Sequence, residues 1–458
     1  MQGNTIESAD RPIDALPRND MLNKDVFDLP VTSGDPAAVT RYNTALTKLL
    51  LLRNDPVAEC DAATAIDPGL VMGHVLKGVL CVLGTEKSAL PDAQAALTSA
   101  QAMAGGATAR ERGHMAALAA WVGGRLFDAC ACWEKVLVDY PSDALAMFAA
   151  HQGDFFLGQS GELRDRVARR LPDIERGGTL EGCYLGMHAF GLEEMGDYCR
   201  AEDAARRSLE RDARDAWATH ALAHVMEMTN RIDDGVEFLG SSAPDWSTDS
   251  FLAVHIWWHL ALYHFDQQQW DTVLRLYDER VRGTDSVVIL DMLDASSLLW
   301  RLNLHDVDVG TRWPRLAELW EPRIDDAWYA FNDVHAMMAF VCARRDDLAQ
   351  RLLGAMERTA QQNCDNGAMT RQVGLPVARA LYTYGYGDYS RAVDLLVPVR
   401  SIAARGGGSH AQRDLLAQTL TVAAERAGQT PLARALLNER LVLKPHSGLN
   451  RAWMARVS

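Results

Sequence analysis

Along nearly the whole chain, apolar residues recur at three- and four-residue intervals, the spacing that gathers them on one face of a helix. No segment of useful length alternates at the period of a strand. Helical text begins near Asp35 and Pro36 and runs almost to the last residue. The helices come in pairs. The clearest pair runs from Gly113 through GHMAALAAWVGGRLFDACACWEKVLVDYPSD, with Ala117 small enough for close helix approach, Gly124 at the turn, Ala129 on the second helix and Tyr140-Pro141 at the end. LGMHAFGLEEMGDYCRAEDAARRSLERDARD puts Ala189, Gly196, Tyr198 and Ala201 in the same roles. It leads in register into DAWATHALAHVMEMTNRIDDG, Asp215 to Gly235.

Further copies read HIWWHLALYHFDQQQWDTVLRLYDERV, LPVARALYTYGYGDYSRAVDLLVPV and LLAQTLTVAAERAGQTPLARALLNERLVLKP. Near the start, LVMGHVLKGVLCVLG places Gly78 at the small site. A helix-turn-helix unit of about 34 residues with this punctuation is the tetratricopeptide pattern, and the chain resembles such arrays. The expected fold is all-α, a tetratricopeptide-like helical-repeat solenoid curled around a concave pocket. Residues 1–34, acidic and polar, read as a loosely ordered leader, 35–281 as N-terminal helical repeats, 282–369 as irregular helical pairs and 370–458 as C-terminal helical repeats. Length does not count domains here, because each repeat leans on its neighbours instead of closing a core of its own.

The most chemically loaded helix lies in Asp215–Gly235, where His220, His224 and Glu227 stand at i, i+4 and i+7 on one face. Counting from the Gly and Tyr positions puts them at sites that face the groove of such arrays. The next repeat carries a second pair, His255 and His259, beside Trp257 and Trp258. Eight of the 13 histidines fall between positions 114 and 264, and His114, His151, His188, His224 and His259 recur at nearly the repeat period. Imidazole and carboxylate suit zinc, iron or manganese, so His220, His224, His255 and His259 are the expected ligands of a divalent transition metal. Without a metal, the same groups supply an acid and a base. A histidine in a helical core that merely satisfies a neighbouring carbonyl is the plainer reading of any single position. Farther along, FNDVHAMMAF brings Asp333 close to His335, and Arg413 opens a helix where it can bind a carboxylate bidentately.

Charge narrows the partners. Forty-six Lys and Arg against 61 Asp and Glu give a net charge of −15, which repels nucleic acid over most of the surface. Apolar residues at 48% and charged residues at 23% describe a folded protein. No run of about 18 uncharged apolar residues spans a membrane. The eight cysteines lie in apolar helical text without paired zinc spacing and read as reduced core residues of a cytoplasmic protein.

The ordered motifs DAWATHALAHVMEMTNRIDDGVEF, HIWWHLALYHFD, SSLLWRLNL with VGTRWPRL, FNDVHAMMAF, VGLPVARAL, GGSHAQRD and ERLVLKPHS resemble the tetratricopeptide repeat protein 38 family over most of the chain. The resemblance implies an all-helical repeat fold and singles out His151, Glu194, His220, His224, Glu227, His255, His259, Asp333, His335 and Arg413. It departs at His188 and His410, where the family has other residues, and it brings no settled activity. Two functions follow. One is a metal-dependent or acid-base enzyme, or a receptor, acting on a small polar molecule, with Glu227, His151, Asp333 and His335 catalytic and Glu194, Trp258 and Arg413 holding the ligand. The other is a non-catalytic scaffold binding a peptide or protein partner in its groove. Trp-rich helices also leave room for a homo-oligomer. An enclosed His cluster favours the first and an open groove the second.

Overall fold

The chain after Asp35 folds into successive helical hairpins, and one backbone device closes each of them. A residue in the left-handed region joins the two helices, with φ between 51° and 88°, at Leu52, Thr85, Gly124, Gly158, Gly196, Asn230, Gln268, Asp306, Arg344, Gly387 and Gly428. Glycine takes this conformation without a Cβ penalty, which is why a turn Gly reads so clearly at 124, 196, 387 and 428. The computed structural model describes residues 23–174, 176 and 178–457.

Helix starts follow the capping residues. Asp143 and Asp215 accept from Ala146 N and Ala218 N at 3.0 and 3.1 Å, while Thr108 with Glu111 and Ser409 with Gln412 form reciprocal capping boxes. The stretch expected to hold irregular pairs, 282–369, builds hairpins of the same kind, Ile289–Leu304 with Arg312–Trp320 and Ala330–Cys342 with Asp346–Thr359. Most of the expected leader, 1–22, lies outside the described residues. Its remainder pairs Asn23–Lys24 with Pro30–Val31 in a two-stranded ribbon, and buried Asp25 meets buried Arg110 at 2.9 Å.

The first helices of the central hairpins are buried nearly all round: every residue from Ala216 to Glu227 is buried, and so is almost every residue of Thr179–Glu194. Such helices need cover on both sides, and the chain supplies it by curling back on itself. Arg53 donates to the Arg214 carbonyl at 2.6 Å, Arg323 meets Glu86 at 3.0 Å, Asn332 Nδ2 donates to the Thr85 carbonyl at 3.1 Å, and Asp365 N donates to the Gly124 carbonyl at 3.2 Å. The C-terminal repeats then cross the C-terminal ends of three successive inner helices. Glu194 is held by His410 N at 2.7 Å and Arg413 at 3.0 Å, Glu227 by Lys444 at 2.8 Å, and Asp266 by Ser447 at 2.5 Å. Cations at helix C-termini face the negative end of the backbone dipole, so Arg413 and Lys444 are well placed. Among the described residues no helix is long and apolar enough to cross a membrane.

Candidate metal centre

Helices Ala216–Met228 and Ala253–Asp266 lie side by side as inner helices of neighbouring repeats, and each presents a histidine pair one turn apart. The four rings meet. Centroids of His224 and His259 are 4.5 Å apart, those of His220 and His255 4.9 Å, and those of His220 and His259 5.1 Å. His220 Nε2 lies 3.0 Å from His224 Nε2 and 3.2 Å from His255 Nε2. One nitrogen from each of the four rings falls within 4.8 Å of the others, and all four residues are buried.

Carboxylates stand behind three of the rings. His255 Nδ1 is 2.9 Å from Asp294 Oδ1, His224 Nδ1 is 3.5 Å from Glu193 Oε2, and His259 Nδ1 is 3.7 Å from Glu227 Oε2. The Asp294 bond places a proton on His255 Nδ1 and leaves its Nε2 with a bare lone pair, while His224 Nδ1 and His259 Nδ1 have a carboxylate nearby but no hydrogen-bond partner. His220 Nε2 can donate to one of its two neighbours and leaves the other unmatched, while His259 Nε2 has no hydrogen-bond partner. Burial and the neighbouring imidazoles push His220 and His224 well below the usual histidine range, and burial brings His259 down to about 4, so these rings are neutral and ligand-competent.

This donor set fits a dication. A tetrahedral ion with metal–nitrogen bonds of about 2.0–2.1 Å separates its ligand atoms by roughly 3.3 Å, close to the two short nitrogen contacts. Charge agrees. Three buried carboxylates back the rings, Lys444 neutralises one of them, and a dication would offset the other two. Without it, Glu193 is held as a carboxylic acid: burial, with Glu194 and Glu227 nearby, pushes its carboxyl well above the usual range, and neither oxygen has a hydrogen-bond partner. Glu227 goes the other way, because Lys444 and His259 outweigh its burial and hold it well below that range. Glu193, Glu194 and His224 also lie together, but both oxygens of Glu194 are engaged by His410 and Arg413.

No family model matches the chain. Its fold is similar to those of the human IFIT1 dimer with PPP-AAAA (14% identity, 81% of this chain and 92% of that chain, TM-score 0.36). It is also similar to the APC/C hetero-tetramer Cut9-Hcn1 (12% identity, 93% and 96%, TM-score 0.31) and to the P58(IPK) TPR domain (14%, 86% and 99%, TM-score 0.20). The repeated hairpin with its left-handed turn makes the chain a tetratricopeptide-type helical-repeat protein; these likenesses carry nothing about its chemistry.

The other sequence-predicted residues fall in different places. Trp258 is part of the cluster's wall, its ring stacked on His255 at 5.2 Å and its Nε1 donating to Ser297 Oγ at 2.9 Å. His151 turns its Nε2 to the Met187 carbonyl at 3.1 Å and sits against Trp217, outside the converging set. His114 binds Asp143 at 2.8 Å and accepts from Trp133, a buried structural pair. Asp333 and His335 are buried in another helix, Ala330–Cys342, where His335 Nδ1 bonds the Phe331 carbonyl at 2.8 Å. Glu194 and Arg413 form one ion pair between the inner helices and the C-terminal repeats.

Sequence reasoning passed over Asp294, Glu193 and Lys444. A signal existed for the first, an acid embedded in the apolar run ILDMLDASSLLW. Glu193 and Lys444 read as ordinary solvated charges at a helix end. A cavity of about 430 Å³ opens on the far side of Glu227, between that residue and the helices His410–Arg426 and Thr430–Leu443.

Proposed function

We propose that this chain is a metal-binding helical-repeat protein that holds zinc, iron or manganese on His220, His224, His255 and His259, and receives a small polar molecule in the cavity beyond Glu227. The observation that carries this reading is the convergence of one ring nitrogen from each of four buried histidines, three of which have a carboxylate beside Nδ1. Zinc suits the four-nitrogen arrangement best, since closed four-ligand sites are its usual habit. Asp294 orients the His255 ring, and Glu193 stands 3.5 Å from His224 Nδ1. Glu227 touches both places, with Oε2 toward His259 and Oε1 on Lys444, and is the residue through which a change in the cavity reaches the centre. The ordered motifs further support membership of the tetratricopeptide repeat protein 38 family, and the eight free cysteines, all but Cys199 buried or half-buried, support a cytoplasmic setting.

A second reading, a scaffold for a peptide or protein partner, is favoured by the repeat architecture and by apolar Val442 and Leu443, 81% and 67% exposed near the cavity mouth. Against it, the ends of the inner helices that face the curl are already covered by the chain's own C-terminal repeats. Elemental analysis of tag-free protein purified without chelator separates the two. About one transition metal per chain, lost in a His220→Ala, His224→Ala double variant that keeps its helicity, is the expected result. Wild-type protein free of metal after metal-supplemented growth would leave the scaffold reading.

A further inference from the structure

The cavity beyond Glu227 has two unlike parts. Most of its wall is apolar, from Leu396, Val399, Leu416, Leu420, Leu436 and Leu443. One side is charged, with Arg400, Arg413, Arg440 and Lys444 against Glu227, Asp414 and Glu439, so cations outnumber carboxylates in a chain whose net charge is −15. Each lining carboxylate is already matched: Glu439 pairs with Arg400, Asp414 with Arg440, and Glu227 with Lys444. Lys444 has three donors and gives one to Glu227 Oε1 at 2.8 Å. Arg413 has five and shares them with Glu194 Oε2 at 3.0 Å, the Gly408 carbonyl and, at 3.5 Å, His410 Nδ1. Donor capacity is therefore left over beside an apolar wall, and each lining carboxylate already holds a cation.

We propose that this cavity binds a small monocarboxylic acid with an apolar body, its carboxylate read by Lys444 and Arg413 and its body lying along the leucine wall. A cavity of about 430 Å³ is within the usual range for small-molecule sites. The acid competes with Glu227 for Lys444, so occupancy loosens the carboxylate that faces His259. The proposal deepens the metal-centre reading by naming the ligand class, and rests on it for the role of Glu227 alone.

Titration calorimetry on the full chain tests it with three probes of one length: octanoate, octylammonium and octan-1-ol. Octanoate binds, and the other two bind roughly ten-fold more weakly or not at all, as expected for the loss of a charge-assisted hydrogen bond. Ala417→Trp, which fills the cavity from an exposed lining position away from the charged side, and Arg413→Met each weaken octanoate by about ten-fold or more. If Arg413→Met fails to fold, Lys444→Gln takes its place and Ala417→Trp still decides. Equal binding of the three probes, no binding of octanoate, or full binding by Ala417→Trp overturns the proposal. Metal content measured on the same samples keeps the two ideas apart: octanoate binding without metal removes the metal centre alone, and metal without octanoate binding removes this proposal alone.

Discussion

His255 shows how a single residue is set for a task. Its Nδ1 is pinned between the two oxygens of Asp294 at 2.9 and 3.0 Å, and Trp258 stacks on its face, so the ring has one orientation, with Nε2 turned to His220. Asp294→Asn keeps the shape and removes the negative charge; metal affinity, read by competition with a chromogenic chelator, is expected to fall about 10- to 100-fold with helicity unchanged. Asp333 poses the opposite case, a buried acid with no ion pair among the described residues, one oxygen lacking a hydrogen-bond partner, and only the charge of Lys87 acting against its burial. Burial pushes its carboxyl up to about 7, against about 4 in an unfolded chain. Between those values the folded protein keeps a proton that the unfolded chain has released, so stability falls as pH rises through that window and stays low above it. Asp333→Asn should therefore melt with the wild type near pH 4 and a few degrees higher at pH 8 in paired thermal scans. The helical period alone put His220, His224 and Glu227 on one face. Asp294, Glu193 and Lys444 belong to the same shell but are brought in from other helices, so no spacing along the chain announces them.

Between elements, the quantity that matters is how closely the inner helices approach their neighbours. Gly191, near the end of Thr179–Glu194, lies so close to the helix Ser160–Arg170 that an added Cβ would stand 2.5 Å from backbone atoms of Leu163 and Arg164. Backbone cannot swing aside as a side chain can. Gly191→Ala is expected to lose about 1–3 kcal/mol in denaturant unfolding, the usual result of overpacking. The same scale explains what the sequence hid between 282 and 369. Gly124, Gly158, Gly196, Gly387 and Gly428 announce turns elsewhere in the chain, but here Asp306 and Arg344 take the left-handed conformation, with φ of 59° and 58°, as Asn230 and Gln268 do just before them. Their side chains compensate with tertiary contacts, Asp306 to Arg426 at 2.7 Å and Arg344 to the Gly385 carbonyl at 2.9 Å. A turn residue whose fitness depends on a distant partner leaves no local signature, and the period fades where the fold stays regular.

Taken as a whole, the molecule departs from an open array, in which each repeat touches only the next and unfolding can start anywhere. Arg323 with Glu86 and Lys444 with Glu227 join residues separated by 237 and 217 positions. Such closure couples the ends. Circular dichroism and tryptophan fluorescence should trace one coincident denaturant transition in the wild type, and Arg323→Ser combined with Lys444→Met should split it into two. The groups that cover Glu194 and Glu227 arrive late in biosynthesis. With chain growth of about 5–20 residues per second, those two acids wait on the order of ten to forty seconds for Arg413 and Lys444 to be made. For most of that interval all four histidines exist on a nascent chain whose covering repeats have not been translated. An ion bound at the proposed centre would therefore meet its ligands before that cover is made, so metal supplied during synthesis is expected to fill the site more fully than metal added to the finished chain.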